Sequence, residues 1–255
     1  MRLQNKSALI TGAGRGIGGA IARRMAQEGA DVFLVSRTDT ELQQQCNWVR
    51  SHTSANAKSF VADVSNPEEV EESVSKAVTS MGKVDILVNC AGISAAGASE
   101  ALAYEDWKRC LDINLNGTFF YCQAVGRHLI ETGNGGKIIN ITSIVSHAAI
   151  PERAAYAASK GGVKQLTQNL AVEWAKHNVQ VNSISPGFII TEIVEEYIKQ
   201  GVHNPDKMIA KIPARRMGKV DDIAGPAVFL ASSDSDYMTG TTLIVDGGFL
   251  AYGYV

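Results

Sequence analysis

Four glycines at alternate positions, Gly12, Gly14, Gly16 and Gly18, follow the apolar run Ser7–Thr11 and open an amphipathic stretch that reaches Gly29. A strand, a glycine turn and a helix in that order constrain a chain strongly. Glycines let the backbone turn tightly and approach a pyrophosphate, and the helix that follows offers N–H donors and a partial positive charge. The spacing is Thr-Gly-x-x-x-Gly-x-Gly rather than the plain G-x-G-x-x-G. Gly12, Gly14, Arg15, Gly16, Ile17 and Gly18 are therefore expected to cradle a dinucleotide.

The rest of the chain alternates in the same way. Strands are expected at 31–36, 57–62, 84–89, 135–142, 179–185 and 242–246, making seven with the first. Helices are expected at 39–53, from Asn66-Pro67 to Met81-Gly82, at 104–131, through the Tyr156 region, and at 220–232. The strands are near-continuously apolar and alternate with helices, which predicts a parallel α/β sheet covered on both faces. No compositional break divides residues 1–255, so one domain is expected. The segment 188–218 reads as irregular and insertion-like. Its apolar residues Phe188, Ile189, Ile193, Val194, Tyr197 and Met208 suit a mobile lid over a substrate.

Bulk properties exclude several classes. With 45% hydrophobic and 20% charged residues the composition is that of a globular protein. A formal charge of -2 gives no footprint for nucleic acid. No apolar run is long enough for a membrane span, and the polar start Met1–Ser7 does not resemble a signal peptide, so a cytoplasmic location is expected. Cys46, Cys90, Cys110 and Cys122 lack C-x-x-C spacing, and the histidines are scattered, so no metal site is expected.

Two local features carry chemistry. Tyr156 and Lys160 lie four apart, on one face of a helix. A phenol titrates at about 10, and a nearby ammonium favours its phenolate, which makes the pair a tunable acid and base. At the end of the second strand stand Ser36 and Arg37, with no acid to take a ribose 2′-hydroxyl. An arginine there can accept a 2′-phosphate, and Arg15 adds a second charge, so NADP(H) is favoured. Asp39 lies close enough to keep NAD(H) possible.

Taken together, these stretches resemble the short-chain dehydrogenase/reductase family over nearly the whole chain. Thr11–Gly18 is similar to its cofactor turn, Asp63-Val64 to its adenine-contacting pair, and Asp246-Gly247-Gly248 to its C-terminal motif. Asn89-Cys90-Ala91-Gly92 is similar to its Asn-Asn-Ala-Gly, with cysteine in place of the second asparagine. Pro186-Gly187-Phe188-Ile189-Ile190-Thr191 resembles the turn that holds the nicotinamide. The resemblance implies a Rossmann-fold domain with a doubly wound sheet. It also implies a catalytic set of Asn114, Ser143, Tyr156 and Lys160. In that set Tyr156 exchanges a proton with the substrate oxygen, and Ser143 hydrogen-bonds the same oxygen. Lys160 binds the nicotinamide ribose and lowers the tyrosine pKa, while Asn114 positions a relay water. Asn89, Ala91, Gly92, Pro186, Gly187, Ile189 and Thr191 are implied on the cofactor.

The C-terminal half looks most similar to sugar-acid and polyol dehydrogenases such as gluconate 5-dehydrogenase. This implies alcohol–ketone interconversion on a polyol, sugar or sugar acid. A 3-oxoacyl carrier-protein reductase is the alternative, with Arg215, Arg216 and Lys219 as a basic face, or a broad carbonyl reductase. A non-catalytic nicotinamide sensor is a further alternative, disfavoured by the intact set of four. In the family the long helices pair subunits as a tetramer. Trp107, Tyr121 and Trp174 are candidates for that interface. His147, Glu152 and Arg153 stand near the expected substrate end, read first as a loop histidine and surface charges and second as substrate contacts.

Overall fold

In chain order the elements are β1 (Ser7–Thr11), α1 (Gly16–Gln27), β2 (Asp31–Ser36), α2 (Asp39–His52), β3 (Ala57–Val61), α3 (Pro67–Met81) and β4 (Ile86–Asn89). Then come α4 (Tyr104–Leu111), a π turn (Asp112–Asn116), α5 (Gly117–Thr132), β5 (Gly136–Ile141), α6 (Ala154–Trp174) and β6 (Val179–Pro186). The chain ends with β7 (Ile189–Ile190), α7 (Glu192–Lys199), α8 (Pro205–Ala210), β8 (Gly218–Lys219), α9 (Val220–Ala231) and β9 (Thr242–Val245). This computed structural model describes residues 1–201 and 204–253, and the side chains of Ile193 and Tyr197 lie outside the described residues.

Seven strands form one parallel sheet in the order β3-β2-β1-β4-β5-β6-β9. The chain winds outward from β1 to β3, returns beside β1 as β4, and winds the other way. That reversal leaves a crevice at the carboxyl ends of β1 and β4, where α/β sheets take ligands. The two faces are separately packed. Ala8 and Ile10 point toward α1, α2 and α9 with Ile21, Leu42 and Val228, while Leu9 points toward α3, α5 and α6 with Val74, Tyr121 and Leu170. All five positions of β1 are buried, as the pleat requires when helices cover both sides. Leu9 and Ile10 each contribute about 1.5–3 kcal/mol by leaving water.

Local signals explain the boundaries. Asn66 caps α3 by accepting from the N–H groups of Glu68 at 3.0 Å and Glu69 at 3.4 Å, and Pro67 takes the first turn. Gly82 ends the helix at φ 77°, a left-handed position that glycine adopts without strain.

The expected helical region 104–131 runs unbroken through α4, the π turn and α5, with the π turn inserting one residue into the ladder around Asn114. One expectation needs correction. The segment 188–218 is not irregular. It holds α7, capped by Thr191, and α8, capped by Asn204 with Pro205 behind it, framed by the two-stranded sheet of β7 and β8. Tyr121 is fully buried and hydrogen-bonds Ser73 at 2.8 Å, so it packs within the subunit rather than at an outer face. Trp174 packs beneath Gly126 and the same core, while Trp107 is 39% exposed. No described helix is long and apolar enough to cross a membrane.

Candidate active site

The carboxyl ends of β1, β4, β5 and β6 open into a cavity of about 840 Å³. Its floor is the glycine turn. Thr11, buried at the end of β1, accepts hydrogen bonds through its hydroxyl from the N–H groups of Cys90 at 3.1 Å and Ala91 at 3.2 Å. This ties the loop after β4 to the loop after β1. Gly12 sits at φ 63°, and a Cβ there would meet the Ala91 backbone at 2.8 Å. A Cβ on Gly18 would lie 2.2 Å from the Gly12 carbonyl oxygen. The α1 helix starts at Gly16 with no side-chain cap and no acid in its first turn. Its leading N–H groups therefore point at the cavity, an arrangement suited to a phosphate.

Beyond the turn lies a charged rim. Ser36 ends β2 and Arg37 follows it, and both line the cavity. Arg37 approaches Asp63 at 4.0 Å, and Arg15 pairs with Glu41 at 3.4 Å. Burial alone would raise the Asp63 carboxyl. Hydrogen bonds from the Ser65 hydroxyl at 2.6 Å and N–H at 2.9 Å, with the Arg37 charge, hold it below its ordinary value instead. Glu41 comes from α2 and sits against Gly14. Sequence reading pointed to Asp39 as the nearby acid, yet it is Glu41 that reaches the cavity.

The far end brings Ser143, Tyr156 and Lys160 together along one wall. Ser143 leaves β5 and caps a 3₁₀ turn over Ile144–Ser146, accepting from the Val145 N–H at 3.4 Å. Tyr156 lies in the first turn of α6, and Lys160 one turn on, 5% exposed. The Lys160 ammonium donates to the Ile141 carbonyl at 2.7 Å and stands 6.0 Å from the Tyr156 ring centre. Burial pushes it down to about 8, partly offset by the thiols of Cys90 and Cys110. Burial raises the Tyr156 phenol above its ordinary value, and the Ser143 hydroxyl and the Arg153 charge partly offset this.

Asn114 is wholly buried in the π turn and does not line the cavity. Its amide accepts from the Ile93 N–H at 2.8 Å and donates to the Ile93 carbonyl at 2.9 Å and the Ser159 hydroxyl at 3.0 Å. It thus fixes the loop after β4 against α6. The Asn114 oxygen and the Lys160 ammonium flank Gly92, where a Cβ would lie 3.2 Å from one and 3.4 Å from the other.

Asn89 also stays outside the cavity. Its side chain turns into the sheet and donates to Asn140 at 2.9 Å. The other cofactor-side positions, from Gly12 to Gly18 and at Asp63, Val64, Ala91, Gly92, Pro186, Gly187, Ile189 and Thr191, line the cavity. Cys90 lines it too, its thiol pushed up to about 12 by burial. His147 does not line it and faces Lys164 at 3.3 Å. Of the pair before α6, Arg153 lines the cavity and Glu152 does not. Glu192, Val194 and Met208 close the side formed by α7 and α8. Among the described residues no cluster of potential metal ligands occurs.

The family described as Enoyl-(acyl carrier protein) reductase matches residues 12–250. The chain is 38% identical over 246 residues to gluconate 5-dehydrogenase of Gluconobacter oxydans (strain 621H), covering 96% of this chain and 95% of that one. It is 41% identical over 251 residues to 2-dehydro-3-deoxy-D-gluconate 5-dehydrogenase of Bacillus subtilis (strain 168), covering 98% and 96%. A crystal structure of a gluconate 5-dehydrogenase from Burkholderia cenocepacia J2315, in complex with NADP and tartrate, superposes with a TM-score of 0.92 at 38% identity, covering 98% and 97%. The chain belongs to the short-chain dehydrogenase/reductase family. Within that family it is an oxidoreductase of the alcohol–ketone type.

Proposed function

We propose that the chain is a cytoplasmic NADP(H)-dependent dehydrogenase that interconverts a secondary alcohol and a ketone on a polyol, sugar or sugar acid. The observation that carries this reading is one cavity with a glycine cradle and an uncapped helix start at one end and Tyr156, Ser143 and Lys160 at the other. The cradle fits a nicotinamide dinucleotide: glycine at 12 and 18, where a Cβ would strike the Ala91 backbone and the Gly12 carbonyl, lets the turn close tightly, and the uncapped start of α1 offers N–H groups to a pyrophosphate. When bound, that cofactor supplies a ring carbon that accepts or returns a hydride.

The protein's own residues do the rest. Gly14, Gly16 and Ile17 offer backbone to the pyrophosphate, Ser36, Arg37 and Arg15 face the ribose phosphate, and Asp63 and Val64 border the adenine. Ala91, Gly92, Pro186, Gly187, Ile189 and Thr191 border the nicotinamide. In oxidation Tyr156 takes the substrate hydroxyl proton while the carbinol hydrogen leaves as hydride and the C=O bond forms; reduction runs in reverse. Ser143 hydrogen-bonds the same oxygen and stabilises charge developing there. Lys160, protonated for the most part at neutral pH, compensates the phenolate within the buried wall and binds the nicotinamide ribose. Asn114, acting from behind Gly92, positions a water for proton relay to Lys160. Helices α7 and α8 act as a lid, and exposed Trp107 and Phe119 on α4 and α5 support self-association as a homotetramer.

The carrier-protein reductase alternative has weaker support. It needs a basic face, and Arg216 is tied to Asp222 at 2.6 and 3.1 Å, with Asp222 also accepting from the Lys219 N–H at 2.7 Å. Initial rates followed at 340 nm on polyols, sugar acids, ketones and acyl thioesters test the reading. Tyr156→Phe should keep cofactor binding and lose turnover; retention of a tenth or more of kcat would sink the acid/base assignment.

A further inference from the structure

We infer that Arg153 recognises a carboxylate on the substrate, so that the preferred substrates are hydroxy or keto acids rather than neutral polyols. The inference rests on the reading of the Tyr156 end as the reaction centre and narrows it. Arg153 is the residue that opens α6, three before Tyr156 in its first turn, and both line the same cavity as Ser143 and Lys160. Its charge favours the phenolate of Tyr156.

Most arginines near a site are neutralised by a neighbour. Arg15, Arg37 and Arg216 each have a carboxylate partner, whereas Arg153 has none among the described residues. Its side chain donates only to the adjoining Glu152 carbonyl, at 3.2 Å. That same carbonyl accepts from the Gly97 N–H at 3.1 Å, and Glu152 holds a left-handed φ of 61°. The backbone beneath Arg153 is thus pinned to the loop that follows β4, on the opposite rim. A half-buried guanidinium on an anchored stem, with no carboxylate partner of its own, is built to receive an anion from outside. A neutral polyol would leave that charge uncompensated beside it.

The test compares gluconate with the neutral polyol sorbitol as probes in the wild type, Arg153→Gln and Arg153→Lys. Loss of the Arg153 charge also touches Tyr156, so both probes should lose a shared small factor. On top of it, Arg153→Gln should lower kcat/KM for gluconate by a further tenfold to a hundredfold or so, mainly through KM, the usual worth of a charge-assisted hydrogen bond. Arg153→Lys should recover part of the loss. In the background of Tyr156→Phe with cofactor bound, gluconate should raise the melting temperature, and adding Arg153→Gln should remove that rise. Equal losses for both probes, or a gluconate-induced rise that survives Arg153→Gln, would overturn the assignment. Absence of wild-type turnover on both probes would instead overturn the parent reading, and the assignment with it.

Discussion

Glu41 of α2 pairs with Arg15 of the glycine turn at 3.4 Å, and its carboxylate packs against Gly14. The contact sets an acid against a cation at the end of the cavity proposed to hold the adenosine ribose. Removing the acid should release Arg15 and lift a repulsion from a ribose phosphate. Both side chains are partly exposed, so screening keeps the effect small. Glu41→Gln should tighten NADPH binding by about threefold to fivefold and leave NADH binding nearly unchanged. Fluorescence titration of the two cofactors measures this, and an unchanged ratio of dissociation constants would count against the pairing as a selectivity element.

Arg37 carries the complementary expectation. Its partner Asp63 is distant at 4.0 Å, so the guanidinium retains most of its capacity for a phosphate. Arg37→Asp replaces it by an acceptor for a 2′-hydroxyl. The ratio of kcat/KM for NADP(H) over NAD(H) should fall by about tenfold or more, the scale of a lost charge-assisted bond. If the ratio stays where it was, the preference for NADP(H) is set elsewhere.

Lys160 makes stability depend on pH. The folded chain releases its proton near 8, whereas an unfolded chain keeps it to about 10.5, the ordinary value. Between those limits the unfolded state binds more protons, so stability rises with pH. Relative to Lys160→Met, the wild type should therefore gain melting temperature from pH 8 to 10 without cofactor. Tyr156 is raised, so the difference in phenolate absorbance between wild type and Tyr156→Phe should not appear below pH 10. A phenolate signal at pH 8 would show that the lysine outweighs burial after all.

Glycine substitutions should divide sharply by position. Gly18→Ala forces a methyl to 2.2 Å from a backbone oxygen that cannot move freely, and should cost about 1–3 kcal/mol. Gly161→Ala, inside α6 with no atom within 4 Å of the new Cβ, should gain about 0.5–1 kcal/mol from reduced chain entropy. Urea unfolding curves of the two variants compare them directly.

Much of this was legible in the sequence. The α3 helix could be bounded because Asn66, Pro67 and Gly82 state its start and stop in local chemistry. The strands could be placed because a sheet covered on both faces demands unbroken apolar runs. Other features depend on distance or burial, which residue order does not state. Glu41 reaches Gly14 across the gap from α2 to the first turn, and no local pattern marks it. The direction of the Tyr156 shift turns on how little water reaches the phenol. Arg153 and Glu152 look alike as adjacent charges, and only the left-handed backbone at Glu152 sends one into the cavity and the other away. The helices α7 and α8 carried readable caps, Thr191 and Asn204-Pro205, obscured by their short length.

The π turn at Asp112–Asn116 has a consequence for α5. One additional residue in a helical path rotates all that follows by about 100°. That phase decides both that Asn114 faces Ile93 and Ser159 and that Tyr121, downstream, meets Ser73 of α3 at 2.8 Å. Deleting a single residue from the turn would swing α5 by more than a quarter revolution, drawing the phenol of Tyr121 out of its socket while detaching the amide behind Gly92. The position of the amide and the seating of the helix are thus one geometric choice, and the chain cannot revise either alone.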